Sequence, residues 1–105
     1  MRRPRGHLIP AHRHNEVTRQ VGTTQEVLFI RSGRVRVDLY SLPDVYLTSR
    51  VLEAGDFILL SAGGHGLEML EESEIVEVKQ GPYAGEADKT RFRTVDPSLV
   101  RPPQL

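Results

Sequence analysis

Residues 26–40 read EVLFIRSGRVRVDLY, and this stretch decides the fold class. Val27 to Ile30 is a continuous run of β-branched, aromatic and aliphatic residues. After Arg31-Ser32-Gly33 the chain resumes in strict alternation, with Val35, Val37 and Leu39 on one face and charged residues on the other. A period of two is the signature of a half-buried strand, because successive side chains leave a pleated backbone on opposite sides. The two runs, separated by a glycine, predict a hairpin.

The same rhythm continues downstream. Ser41-Leu42-Pro43-Asp44 predicts a turn, Val45 to Leu52 a strand, and Glu53-Ala54-Gly55-Asp56 a reversal into the run Phe57-Ile58-Leu59-Leu60, which is apolar throughout and predicts burial. Ser61-Ala62-Gly63-Gly64 turns the chain again. His65 to Leu70 and Ile75 to Gln80 follow, parted by Glu71-Glu72-Ser73. Short apolar runs spaced by turn residues, with no amphipathic helix, predict an all-β sandwich or barrel of antiparallel strands. At 105 residues the chain is a single domain. Its core is expected over about residues 6–83. Beyond Gly81-Pro82 the pattern dissolves, and residues 84–105, with Pro97, Pro102 and Pro103, predict an extended tail that covers an edge or a partner.

Fourteen basic residues balance fourteen acidic ones, so net charge gives no attraction to nucleic acid or to an anionic membrane. The cluster Arg2, Arg3 and Arg5 is a solvated arm on this reading. Without cysteine there is no disulfide, thiolate metal site or cysteine nucleophile. No apolar stretch is long enough to span a bilayer and no signal-peptide core follows Met1, so the expected location is the cytoplasm.

Chemistry is concentrated in the histidines. His12 and His14 have the i, i+2 spacing that puts two rings on one face of a strand, where neutral imidazoles can share a metal. A third nitrogen and a carboxylate complete such a site. His65 has the parity of Leu67 and Met69, and Glu26 that of Leu28 and Ile30, so both are expected to face inward. A carboxylate on an apolar face is costly unless paired. His7 has no partner at strand spacing and is read as a hydrogen-bonded core or surface residue without a functional role. Between His14 and Glu26 lie eleven residues, a loop in which Arg19, Thr24 and Gln25 are candidate substrate contacts. Glu77 and Lys79 share a face. The more frequent arrangement is a solvent-facing ion pair, and the alternative is a charged pair lining the cavity, where the Lys79 amine would serve as an acid or electrophile. Tyr83 closes this segment as a further candidate.

Gly6, His12, His14, Glu26 and Gly33 resemble the first cupin motif: glycine, five residues, His-x-His, an intervening stretch, then a glutamate and, after six intervening residues, a glycine. Gly55, Ser61, Gly63 and His65 resemble the second, with serine in place of proline and one residue fewer before the histidine. The resemblance spans Gly6 to His65 and implies a double-stranded β-helix, the cupin jelly roll, with little or no helix. For metal-binding cupins it further implies that His12, His14, Glu26 and His65 hold a divalent ion such as iron, manganese, nickel or zinc. Three functions stay open. One is a metal-dependent enzyme on a small oxygenated substrate. Another is a metal-free sugar-nucleotide isomerase or epimerase with His12 or His14 as base, and the segment around Tyr83 has a short likeness to such ketoisomerases. The last is a non-catalytic ligand-binding or sensor module. His14 and Lys79 are the candidate catalytic groups, a small molecule is the expected ligand, and an uncovered edge predicts a homodimer, with Val27 and Phe29 either in its contact or in a second layer of the monomer core.

Overall fold

The computed structural model describes residues 1–82 and 84–101. Six strands carry the fold: β1 (Glu26–Ser32), β2 (Arg34–Ser41), β3 (Val45–Glu53), β4 (Phe57–Leu60), β5 (Gly64–Met69) and β6 (Glu74–Lys79). They form two three-stranded antiparallel sheets, ordered β4-β1-β6 and β3-β2-β5. The only helical pieces among the described residues are short 3-10 turns at Gly85–Asp88 and Pro97–Leu99. No described helix is long and apolar enough to cross a membrane.

The predicted hairpin between β1 and β2 does not form. These strands belong to different sheets, and Gly33 is the corner between them. Three long ribbons, residues 26–41, 45–60 and 64–79, run antiparallel and all bend at this one corner. At the bend Ile30 N–H donates to the Asp56 carbonyl (2.9 Å), Gly55 N–H to the Ile30 carbonyl (2.8 Å) and Leu70 N–H to the Arg34 carbonyl (2.9 Å). Gly33 has φ +91°, and a Cβ there would run into the Ser73 hydroxyl and the Glu72 carbonyl. Only glycine meets both demands. Alternation in the sequence located the strands, but a corner glycine and a hairpin glycine look alike until the partner strands are known.

Folding the ribbons over brings one face of each sheet together. Leu28 and Ile30 from β1, Val35 and Val37 from β2, and Leu60 from β4 form the buried cluster, with Leu39, Leu52, Ile58 and Ile75 packed against it. The apolar run of β4 is therefore not buried throughout. Ile58 and Leu60 point inward, while Phe57 and Leu59 sit on the outer face in solvent. Period two overrides composition here, because no layer covers the outside of that sheet among the described residues.

The outer face of the β3-β2-β5 sheet is covered by the chain's own C-terminal segment. Phe92 packs edge-on against Tyr40, with ring centroids 4.9 Å apart. Val95 N–H donates to the Tyr40 hydroxyl (2.9 Å), and Arg101 N–H to the Tyr46 hydroxyl (2.8 Å). Gly64 allows the approach, since a Cβ would collide with the Phe92 ring. Under and beside this roof, Asp38 is 1% exposed although the alternation places it with the charged face. It accepts from Arg36 Nε (2.8 Å), Arg36 Nη2 (3.1 Å) and the Ser49 hydroxyl (2.6 Å), and Ser49 is linked in turn to Tyr46 (2.7 Å). A buried carboxylate is tolerated when its oxygens are filled in this way.

Residues 1–25 form no strand, and every residue from Met1 to Thr23 is exposed. The Cα radius of gyration, 17.2 Å, exceeds the roughly 13 Å of a compact chain this long, because the arm extends beyond the sheets.

Candidate functional site

Opposite the corner the sandwich is open, and its mouth is built from the two sheets' inner faces. Glu26, the first residue of β1, lies directly across from Leu60 on β4 and Lys79 on β6. Residues paired in this way project to the same side of a sheet, so the Lys79 side chain shares the core-facing side with Glu26. Glu77, paired with Leu28, shares it too. Both charged side chains of β6 therefore project to the core-facing side, and of the two Lys79 lines the cavity while Glu77 does not. From the other sheet β5 supplies His65, paired with Leu39 of β2 and on the same face as Val37 and Leu67.

At the open end a polar contact joins the two sheets. His65 Nε2 lies 2.8 Å from Glu26 Oε1, and Lys79 Nζ lies 3.8 Å from Glu26 Oε2 and 3.5 Å from Glu77 Oε1. The Glu26 side chain is 10% exposed and that of His65 35%, so the pair spans the boundary between core and cavity. Burial is the main cause that pushes the Glu26 carboxyl above its ordinary pKa, helped by a hydrogen bond with Glu77; the charges of His65 and Lys79 act in the opposite direction. Glu77 moves the other way. Its carboxyl falls below the ordinary value, first through the same hydrogen bond and then through Lys79.

A cavity of about 950 Å³ opens above this contact. Glu26, His65, Lys79 and Leu67 form its floor side, and Thr24, Asp88 and Phe92 are among its walls. Thr24 donates to Asp88 (2.6 Å), which ties the strand entry to the C-terminal segment across the mouth. Phe92 was not singled out from the sequence, and Asp88 entered only through the short likeness of the segment around Tyr83. They come from a region without periodicity, and only its return across the sheet brings them here.

The remaining candidates are placed as follows. His12 and His14 lie outside any strand, in the exposed N-terminal arm, which corrects the expectation that both rings project from one strand face. A strand requires a ladder partner, and residues 1–25 have none among the described residues. The two rings still neighbour each other, with centroids 5.4 Å apart, and His12 Nδ1 donates to the Pro10 carbonyl (2.8 Å). His7 is likewise exposed. Arg19 and Gln25 are exposed and do not line the cavity, whereas Thr24 does. Tyr83 lies outside the described residues.

Of the four residues that the cupin resemblance implies as metal ligands, the structure brings together Glu26 and His65 and leaves His12 and His14 in the arm. Among the described residues no group of three or more histidine and carboxylate side chains converges closely enough to hold a metal ion. The donor set of three imidazoles and one carboxylate does not fit a metal as these residues are arranged. What the arrangement can do by itself is exchange a proton: a buried carboxyl with a raised pKa, an imidazole against it and an amine beside both are the parts of an acid–base site. Comparison with protein-family models, with curated proteins and with solved structures returns no match.

Proposed function

We propose that the chain is a small cupin-type jelly roll that binds a small oxygenated molecule in the cavity at its open end, with Glu26 and His65 as its proton-exchanging pair and Lys79 as the donor to a ligand oxygen. The observation that carries this reading is the 2.8 Å contact between Glu26 and His65, which joins the two sheets at the base of the cavity. The fold part rests on the shared corner of three antiparallel ribbons and on strand orders β4-β1-β6 and β3-β2-β5, the pairing of a folded-over β-ribbon. The cavity volume lies at the upper end of the roughly 300–1,000 Å³ common for small-molecule sites, and its floor combines apolar Leu67 with a few convergent polar groups.

In this reading the ligand sits over Leu67 with an oxygen toward Lys79. The His65–Glu26 pair then takes up or returns a proton at the neighbouring position. Binding alone would need only the hydrogen bonds; catalysis would use the same pair as acid and base. The test is an amide-resolved NMR screen of the wild-type chain with carboxylic acids, sugars and sugar phosphates. Hits are expected to move the amides of Thr24, Glu26, His65 and Lys79, and to be lost in His65→Ala and Glu26→Gln. Hits that move other regions, or survive both substitutions, would defeat the reading.

A metal-dependent form of the same site is the second reading, favoured by the fact that Glu26 and His65 approach each other closely. It requires the arm to bring His12 and His14 onto them. Elemental analysis of tag-free protein purified without chelators tests it: near-stoichiometric iron, manganese, nickel or zinc, removed by both His14→Ala and His65→Ala, would support it. A metal-free, folded wild type would reject it.

A further inference from the structure

We propose that the outer face of the β4-β1-β6 sheet is a self-association surface whose occupant is a second copy of this chain, packed face to face about a two-fold axis. The face is a regular grid. Register places Val27 between Leu59 and Val78, and Phe29 between Phe57 and Val76, so six apolar side chains form two adjacent rows across three strands. Phe57 is 72% exposed, Val78 65% and Leu59 60%; Val76 and Phe29 are exposed at 44% and 39%. Scattered apolar residues on a surface need no explanation, but a contiguous grid does.

Area, charge and contrast with the opposite sheet argue for a second copy. Taking roughly 150–200 Å² for a fully exposed residue of this size, the grid offers about 500 Å² of apolar surface. A standard interface buries about 800 Å² per partner, somewhat more than half of it apolar, so one such face supplies what each half of a dimer needs. No charged side chain lies within the grid. Its ends are polar and internally balanced: Gln25 and Gln80 are hydrogen-bonded at one end, and Arg31 pairs with Glu74 (3.3 Å) at the other. A two-fold operation therefore apposes neutral apolar rows inside a polar rim, with no like charges brought together, and the chain's net charge of zero adds no repulsion between copies. The opposite sheet has its outer face covered by the C-terminal segment through Phe92, Val95 and Arg101. The β4-β1-β6 sheet has no such cover among the described residues.

Sedimentation equilibrium of the full chain, from low micromolar to millimolar concentration, tests this. The wild type is expected to reach twice its 11.8 kDa mass. Phe57→Lys and Val78→Lys, at positions that contribute little to the monomer core, should each weaken association at least about tenfold. Leu8→Lys, in the exposed arm, should leave it unchanged. A wild type that stays monomeric throughout, or dimers indifferent to both grid substitutions, would overturn the proposal. A second measurement does not depend on the variants folding: shielding of the Val27 and Val78 methyl groups from a soluble nitroxide. Shielding that grows with protein concentration supports the second copy. Shielding in samples that sediment as monomer would mean that the chain's own arm covers the face, and absence of shielding would mean that nothing does; either result overturns the proposal.

Discussion

Replacing Asp38 with alanine tests the account of the covered outer sheet face most directly. The carboxylate is 1% exposed and accepts three hydrogen bonds, two from the Arg36 guanidinium and one from Ser49. The hydrogen bonds from Arg36 to Asp38 hold the guanidinium pKa above its ordinary value. Removing one partner of a buried ion pair commonly costs about 3–5 kcal/mol, because the other charge is left without compensation. Here Arg36 keeps a second partner, Glu68, at 2.8 Å, while Ser49 keeps Tyr46. The lower end is therefore expected, about 3 kcal/mol, out of a total of roughly 5–15 kcal/mol for a domain of this size. At roughly 4–8 °C per kcal/mol this lowers the melting temperature by about 12–24 °C. Urea unfolding monitored by circular dichroism measures it, with an unchanged denaturant slope as the sign that the native state is intact. Asp38→Asn keeps the shape and an acceptor, and should cost about half as much. Replacing both partners, Arg36→Met with Asp38→Leu, should cost less than Asp38→Ala alone, since no charge is then left unpaired. A loss below about 1 kcal/mol for Asp38→Ala would refute the reasoning, showing that water enters beneath the tail and solvates the carboxylate.

Glu26→Gln should change the pH dependence of stability. A carboxyl whose pKa is raised on folding binds its proton more tightly in the native state, so its contribution is fully present below the unfolded value near 4.5 and is lost as pH rises through the folded one. Glutamine removes that loss: the variant's melting temperature should gain on wild type as pH rises from 4.5 toward 8, and a constant difference across this range would contradict the raised pKa. Gly33→Ala is expected to cost about 2–4 kcal/mol, because strain at positive φ is added to a collision with the Ser73–Glu72 backbone. Gly55→Ala, with φ +95° but open space around it, should cost about 1 kcal/mol; equal losses in urea unfolding would deny the tight corner. Gly64→Ala should displace the Phe92 ring from Tyr40 and loosen the C-terminal segment, read as faster proteolytic cleavage within residues 89–101 while β1–β6 stay protected.

The sequence by itself determined the strands and their inward faces. Leu28, Ile30, Val35 and Val37 were readable as core because side-chain direction in a strand is a local property with a period of two, and each run carries that period within a few residues. The same parity placed Glu26 and His65 on the inward side. Pairing is not local, and there the sequence was silent. Whether Gly33 makes a hairpin or a corner depends on Ser73 and Asp56, which lie tens of residues away. Asp38 shares the alternation of an exposed residue and is buried because residues 92–101 return over it, a covering layer that no periodicity within β2 can encode. Glu77 and Lys79 alternate as well facing in as facing out, and only the register against Glu26 and Leu28 decides it. His12 and His14 show the same division from the other side: their spacing suits one face of a strand, but a strand face exists only where a neighbouring strand supplies the ladder, and that partner is a tertiary fact.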